Sequence, residues 1–143
     1  MKALLLDMDG VLVDDRGSYL RALAGVAESC LKRSVSEEEI RAVKCQPGCG
    51  NDWVALERLL NGEGFCPDPA EIRRCFQEQL WGCSRLMEQE RWVFPDSVLS
   101  ALAGRFPLGI VTARPRWEAW WSLVYWHKRA FFPVVVHAES TPA

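Results

Sequence analysis

The chain has 143 residues, 49% of them hydrophobic, enough for one ordinary core with a small appended subdomain but not for two full domains. A formal net charge of -2 supplies no broad basic field, so nucleic acid and anionic membranes gain no electrostatic support as partners, and small-molecule chemistry becomes the better reading. One lysine and the four apolar residues Ala3–Leu6 precede the first aspartate, too few for a signal-peptide core or a membrane span, so a cytoplasmic home is expected, with an organelle left open.

In chain order, Lys2–Leu6 is a short, continuously apolar run of the kind that forms a parallel strand buried on both faces. It ends at Asp7, with Asp9 two residues on and Gly10 directly after. From Ser18 to Leu31 the residues Leu20, Leu23, Ala24, Ala27 and Leu31 recur at helical spacing, and Ser36 with Glu39 three residues later predicts a capped second helix. CQPGCGND interrupts as a loop, and helical spacing resumes over Trp53–Leu60 until Asn61-Gly62. A long helix is predicted from Ala70 to about Gln89, with Ile72, Cys75, Phe76, Leu80, Cys83 and Met87 on its apolar face.

Asp96–Ala103 reads as a short helix and Phe106–Val111 as a second buried strand, ending at Thr112. Arg114-Pro115 opens a helix on which Trp117, Trp120, Trp121 and Val124 follow an i, i+3, i+4, i+7 pattern, read as a core-packing stripe rather than a ligand-stacking box. Phe131–Val136 makes a third strand. The order predicts an α/β domain with a parallel sheet of three strands and a helical insertion, divided as a core of residues 1–16 and 93–143 and an insertion of residues 17–92.

Six cysteines (Cys30, Cys45, Cys49, Cys66, Cys75, Cys83) would suggest disulfides in a secreted chain, but without a secretory signal they read as reduced thiols. His127 and His137 have no partner at metal or triad spacing and read as surface or strand-end residues.

Two carboxylates at i and i+2, at the tip of a buried strand and before a glycine turn, can divide the work of phosphoryl chemistry. One attacks phosphorus, the other moves a proton, and both supply hard oxygen ligands to Mg²⁺. The bland alternative is a pair of solvated turn aspartates.

DMDGVLVD resembles the first motif of the haloacid dehalogenase-like hydrolase superfamily, and GIVTARP resembles its second. The resemblance implies a Rossmann-like parallel sheet with a helical cap, Asp7 as nucleophile, Asp9 as general acid/base, and Thr112, Ala113 and Arg114 at the transferring phosphoryl group, with Mg²⁺ held at Asp7 and Asp9. GCGNDW resembles the family's specificity loop, which makes Asn51, Asp52 and Trp53 candidates for contacts with the leaving group; an N-capped helix start is the alternative. Asp9 favours phosphoryl transfer over carbon–halogen cleavage, since a leaving alkoxide needs a proton and a halide does not. A small phosphorylated metabolite is the implied substrate, with a phosphomutase or a non-catalytic remnant that binds phospho-ligands or proteins as alternatives. A phosphoacceptor receiver domain also clusters aspartates, but the long insertion after the first strand disfavours it.

The resemblance further implies a lysine after the third strand and acidic metal ligands on a fourth, ahead of which this chain stops at VVVHAESTPA. It therefore reads as a truncated phosphatase with weak or no hydrolysis of its own. Lys128 and Arg129 fall in a helix-to-strand connection at the wrong end of the sheet, and Glu139 sits just beyond the third strand, where it could approach a metal. In the family's sheet the first strand is central; with its far neighbours missing, Lys2–Leu6 becomes an exposed apolar edge open to self-association.

Overall fold

The computed structural model describes residues 2–49, 52–82 and 84–140. Asn51 and Cys83 therefore lie outside the described residues. The chain divides into two compact units, Met1–Asp14 with Arg91–Ala143, and Asp15–Glu90. Among the described residues no helix is long and apolar enough to cross a membrane.

The first unit is an α/β assembly on a three-stranded parallel sheet. Strands β1 (Leu4–Leu6), β4 (Leu108–Val111) and β5 (Val134–Val136) lie in the order β1-β4-β5, with Leu5 opposite Gly109 and Gly109 opposite Val134. Helices α5 (Asp96–Ala103) and α6 (Arg116–Tyr125) supply Leu99, Ala119 and Leu123 to a core that also holds Met8, Leu12, Leu108, Ile110 and Phe132. Leu4, Leu6 and Val135 pack against that core.

Leu5 points the other way and is 63% exposed, and Val111 and Val134 are exposed with it. Burial on both faces, expected from the unbroken apolar run, is thus corrected: β1 is buried on one face, because Leu4 and Leu6 alternate with Leu5 across the pleat and no described element covers the second face. β1 also stands at an edge of the sheet.

A second, two-residue ladder pairs β2 (Val13–Asp14) with β3 (Arg91–Trp92) in antiparallel register, Val13 opposite Trp92 and Asp14 opposite Arg91. The Arg91 guanidinium reaches the Asp14 carboxylate at 3.1 Å. The chain leaves the sheet unit and returns to it through these adjoining strands.

The second unit is helical: α1 (Tyr19–Leu31), α2 (Glu37–Lys44), α3 (Asp52–Gly62) and α4 (Pro69–Trp81), followed by a 3₁₀ turn at Leu86–Gln89. Its α1 core is Ala22, Leu23, Ala24, Val26 and Ala27. The predicted capping box is present at α2, where Ser36 Oγ accepts from Glu39 N–H and the Glu39 carboxylate accepts from Ser36 N–H. Helix α4 begins with Asp68 as cap and Pro69 in its first turn. Ser18 and Glu90, at the two ends of the unit, are both buried, and the Ser18 hydroxyl lies 2.6 Å from the Glu90 carboxylate. The described cysteines are free thiols, and burial, followed by the nearby Cys75, pushes the Cys30 thiol up.

The single helix expected from Ala70 to about Gln89 is broken. Ile72, Phe76 and Leu80 form the buried face of α4, but Gly82 ends it and Met87 is buried from the 3₁₀ turn instead. Gly82 N–H still bonds the Glu78 carbonyl at 2.8 Å, while a Cβ at position 82 would fall 2.4 Å from that same oxygen. Gly82→Ala is therefore expected to destabilise the protein by about 1–3 kcal/mol in urea titration. Gly62→Ala, at the end of α3 where a Cβ would meet nothing within 4 Å, should be neutral or mildly stabilising.

Candidate active site

The site is built at the C-terminal ends of β1 and β4, which are neighbours in the sheet. After Leu6 the chain turns sharply. The Met8 carbonyl accepts from Leu12 N–H at 3.0 Å and Val13 N–H at 2.9 Å, and Gly10 N–H returns to the Val13 carbonyl at 2.9 Å. Gly10 sits at φ +71°, left-handed backbone that a side chain resists, although nothing lies within 4 Å of the missing Cβ. Met8 and Leu12 are buried in the core and anchor the turn, so the aspartates on either side of Met8 stand at the surface. Asp7 is exposed, its Oδ1 accepting from Met8 N–H at 2.6 Å.

Asp9 is held differently. Its Oδ1 receives Nε of Arg114 at 2.7 Å and Nη2 of the same guanidinium at 2.5 Å, and its side chain remains 32% exposed. Arg114 is 2% exposed, one of the largest fully buried side chains in the protein. Its Nη1 donates to Ser122 Oγ at 2.9 Å, one turn and more into α6. Its backbone N–H donates to Thr112 Oγ1 at 3.2 Å, a turn in which the hydroxyl substitutes for a backbone acceptor. Thr112 is buried and its own N–H bonds the Val136 carbonyl at 2.9 Å, while Ala113 is exposed. Arg114 thus touches both Asp9 and Thr112, which brings the two motifs together.

This arrangement corrects the reading of the tryptophan stripe. Trp117 and Val124 are exposed, at 49% and 59%; Trp120 only borders the core. The buried face of α6 is Glu118, Ala119, Ser122 and Leu123, and on it Ser122 meets the buried guanidinium. Arg114 itself faces Asp9 and Ser122 rather than open solvent.

Of the other candidates, Asp52 is the first residue of α3 and pairs with Lys44 at 2.5 Å, and Trp53 packs edge-on against Phe76 with ring centroids 4.6 Å apart. Both contacts lie inside the helical unit. That unit also holds a cleft of about 610 Å³ lined in part by Arg21, Glu28, Gln79 and Gln89, which shares no residue with the carboxylate site. Lys128 pairs with Asp96 at the start of α5, and Arg129 lies over the Trp120 ring at 5.4 Å.

Two features escaped the sequence reading. Ser122 and Glu118 follow Arg114 at i+8 and i+4, a polar stripe between tryptophans that was there to be read. Glu139 caps a helix: its Oε2 accepts from Arg116 N–H at 2.8 Å, at the start of α6, where Pro115 has no capping side chain to offer. His137 Nδ1 lies 3.0 Å from the same oxygen. The Arg116 N–H, then His137, hold the Glu139 carboxyl below its ordinary range.

Among the described residues no group of three or more His, Cys, Asp or Glu side chains could hold a metal ion. At the tip of β1, Asp7 offers an exposed hard oxygen donor, while Oδ1 of the Asp9 carboxylate is already engaged by the Arg114 guanidinium. Mg²⁺ is commonly held by one or two carboxylates with phosphate and water completing the shell, so Asp7 fits as one protein ligand of such an ion.

No family model matches the sequence. A curated protein from Phytophthora nicotianae, an imidazoleglycerol-phosphate dehydratase, is 32% identical over 151 residues, covering 99% of this chain; the chain spans about a third (33%) of that protein's length. Among solved structures, phosphatase Tt82 from Thermococcus thioreducens is similar with TM-score 0.78 and 23% identity, covering 99% of this chain and 74% of that one. A haloacid dehalogenase-like family hydrolase from Streptococcus pneumoniae gives TM-score 0.72 and 19% identity over 99% of this chain and 62% of its own. A subfamily IA hydrolase of the same superfamily from Geobacter sulfurreducens gives 0.67 and 22% over 100% and 66%.

The Glu139 cap carries a pH-dependent prediction. A carboxyl lowered on folding stabilises above its unfolded pKa and ceases to do so as pH falls through the folded value. Glu139→Gln should therefore lower Tm at neutral pH, and the gap to the parent should close as pH drops below about 4.

Proposed function

We propose, from the haloacid dehalogenase-like fold to which this chain belongs, that its site performs phosphoryl transfer from a small phosphorylated metabolite to water through an aspartyl-phosphate. The observation that carries this reading is the placement of Asp7 and Asp9 at the tip of β1, beside Thr112 at the tip of the neighbouring β4.

The exposed Asp7 carboxylate is the group free to approach phosphorus and displace the alcohol. Asp9, two residues on, protonates the departing alkoxide and then takes a proton from the water that cleaves the acyl phosphate. Thr112 Oγ1 accepts from Arg114 N–H, which leaves its own hydrogen to donate to a phosphoryl oxygen. The exposed Ala113 adds backbone to the same loop. An Mg²⁺ ion at Asp7 would neutralise phosphoryl charge, the main requirement of a reaction whose catalysis is chiefly positioning and electrostatics.

The sparse metal-ligand set among the described residues favours a second reading, a unit that binds phospho-ligands with little turnover. For this chain alone, slow hydrolysis of p-nitrophenyl phosphate is expected, dependent on Mg²⁺, abolished by Asp7→Asn and lowered about 10²–10⁴-fold by Asp9→Asn. Hydrolysis that survives both Asp7→Asn and EDTA would remove the proposal. Calorimetric binding of vanadate without any turnover would establish the second reading in its place.

A further inference from the structure

The geometry around Arg114 points to a role that resemblance does not assign to it. We infer that Arg114, braced by Ser122, is a positioning residue that fixes the Asp9 carboxylate for proton transfer, and does not bind the phosphoryl group itself. The inference rests on the phosphoryl-transfer reading only for what the fixed carboxylate is used for.

A guanidinium stays charged at any working pH, and placing it in a core is costly unless carboxylate and hydroxyl acceptors meet it. With its side chain 1% exposed, Arg114 offers no free face to an incoming anion. Both Nε and Nη2 converge on a single oxygen, Asp9 Oδ1, while Nη1 is taken by Ser122 Oγ. A fork on one oxygen restrains the Asp9 χ angles and leaves its side chain 32% exposed.

The arginine is also braced along its backbone. Its N–H bonds Thr112 Oγ1, and its carbonyl accepts from Ala138 N–H at 3.0 Å. Its side chain is buttressed by α6 through Ser122. Backbone and guanidinium are thus fixed from β4, α6 and the segment after β5. For stability alone, apolar residues of similar volume would serve as well as a buried ion pair or better, so the pair is best explained by the geometry it enforces. Lysine, a point charge without a fork, cannot reproduce it.

Two independent measurements decide the matter. In the full chain, ¹⁵N NMR should show the Arg114 Nε–H shifted and protected from exchange, and that signature should disappear in Asp9→Ala. The Tm loss of Arg114→Gln should at least halve when it is introduced into Asp9→Ala. An unchanged Nε–H together with additive Tm losses would overturn the inference.

With p-nitrophenyl phosphate and Mg²⁺, Arg114→Lys should lower kcat about a hundredfold with KM changed by less than about threefold. Ser122→Ala, a milder variant, should lower kcat about tenfold, and guanidinium added to Arg114→Gly should restore part of the rate. A raised KM at unchanged kcat would assign Arg114 to phosphate binding and defeat the inference. Absence of turnover in the parent would defeat the phosphatase reading alone, leaving the resonance and the Tm comparison to decide whether Arg114 holds Asp9.

Discussion

A buried cation governs the architecture of the sheet unit. With Arg114 in the core, Asp9 turns toward it, Ser122 faces inward, and α6 presents the face that carries that serine. The two sequence-distant loops, after β1 and after β4, are thereby locked at a mutual distance set by hydrogen-bond length. Hydrophobic packing by Met8, Leu12, Ile110 and Leu123 supplies the bulk of the cohesion. Packing of that kind tolerates small displacements, whereas a forked ion pair in a low-dielectric setting does not.

That same cation explains where the sequence could and could not be read. The three strands of the parallel sheet, the Asp96–Ala103 helix and the Ser36–Glu39 capping box were legible because local pattern and tertiary environment agree there, whereas the two-residue strands β2 and β3 are too short to show a pattern. Helix α6 was legible as a helix but not in its phase. Apolar periodicity selected Trp117 and Val124 as core, while the core in fact receives Glu118 and Ser122. Hydrophobicity alone misjudges a helix whose inner face serves a buried charge. The premature end of α4 had a different origin: the spacing of apolar residues continues past Gly82, but the Gly82 backbone turns out of the helix at ψ -143°, a conformation in which any side chain would strike the Glu78 carbonyl.

The candidate residues separate along similar lines. Asp7, Asp9 and Thr112 follow from motif and strand ends, and parallel pairing of β1 with β4 makes their strands neighbours. Arg114 was recognisable as a member of the loop but not by its direction, which depends on a serine eight residues on. Glu139 was noted as an acid near the sheet's active edge; its carboxylate instead completes the first turn of α6, a role visible only once Pro115 is seen to lack a capping group. Within the helical unit Asp52 pairs with Lys44 and Trp53 packs on Phe76.

The short β2–β3 ladder has a kinetic consequence. Val13 can meet Trp92 only after the whole span from Asp15 to Glu90 has been looped out. The entropy of closing a flexible loop grows with the logarithm of its length, about 0.6 kcal/mol for each doubling. The helical unit, whose ends are tied by Ser18 and Glu90, shortens that loop to a few residues once it has formed. Forming the insertion first would therefore act as an entropic shortcut for the discontinuous sheet, letting its two sequence-distant parts assemble as though they were nearly contiguous.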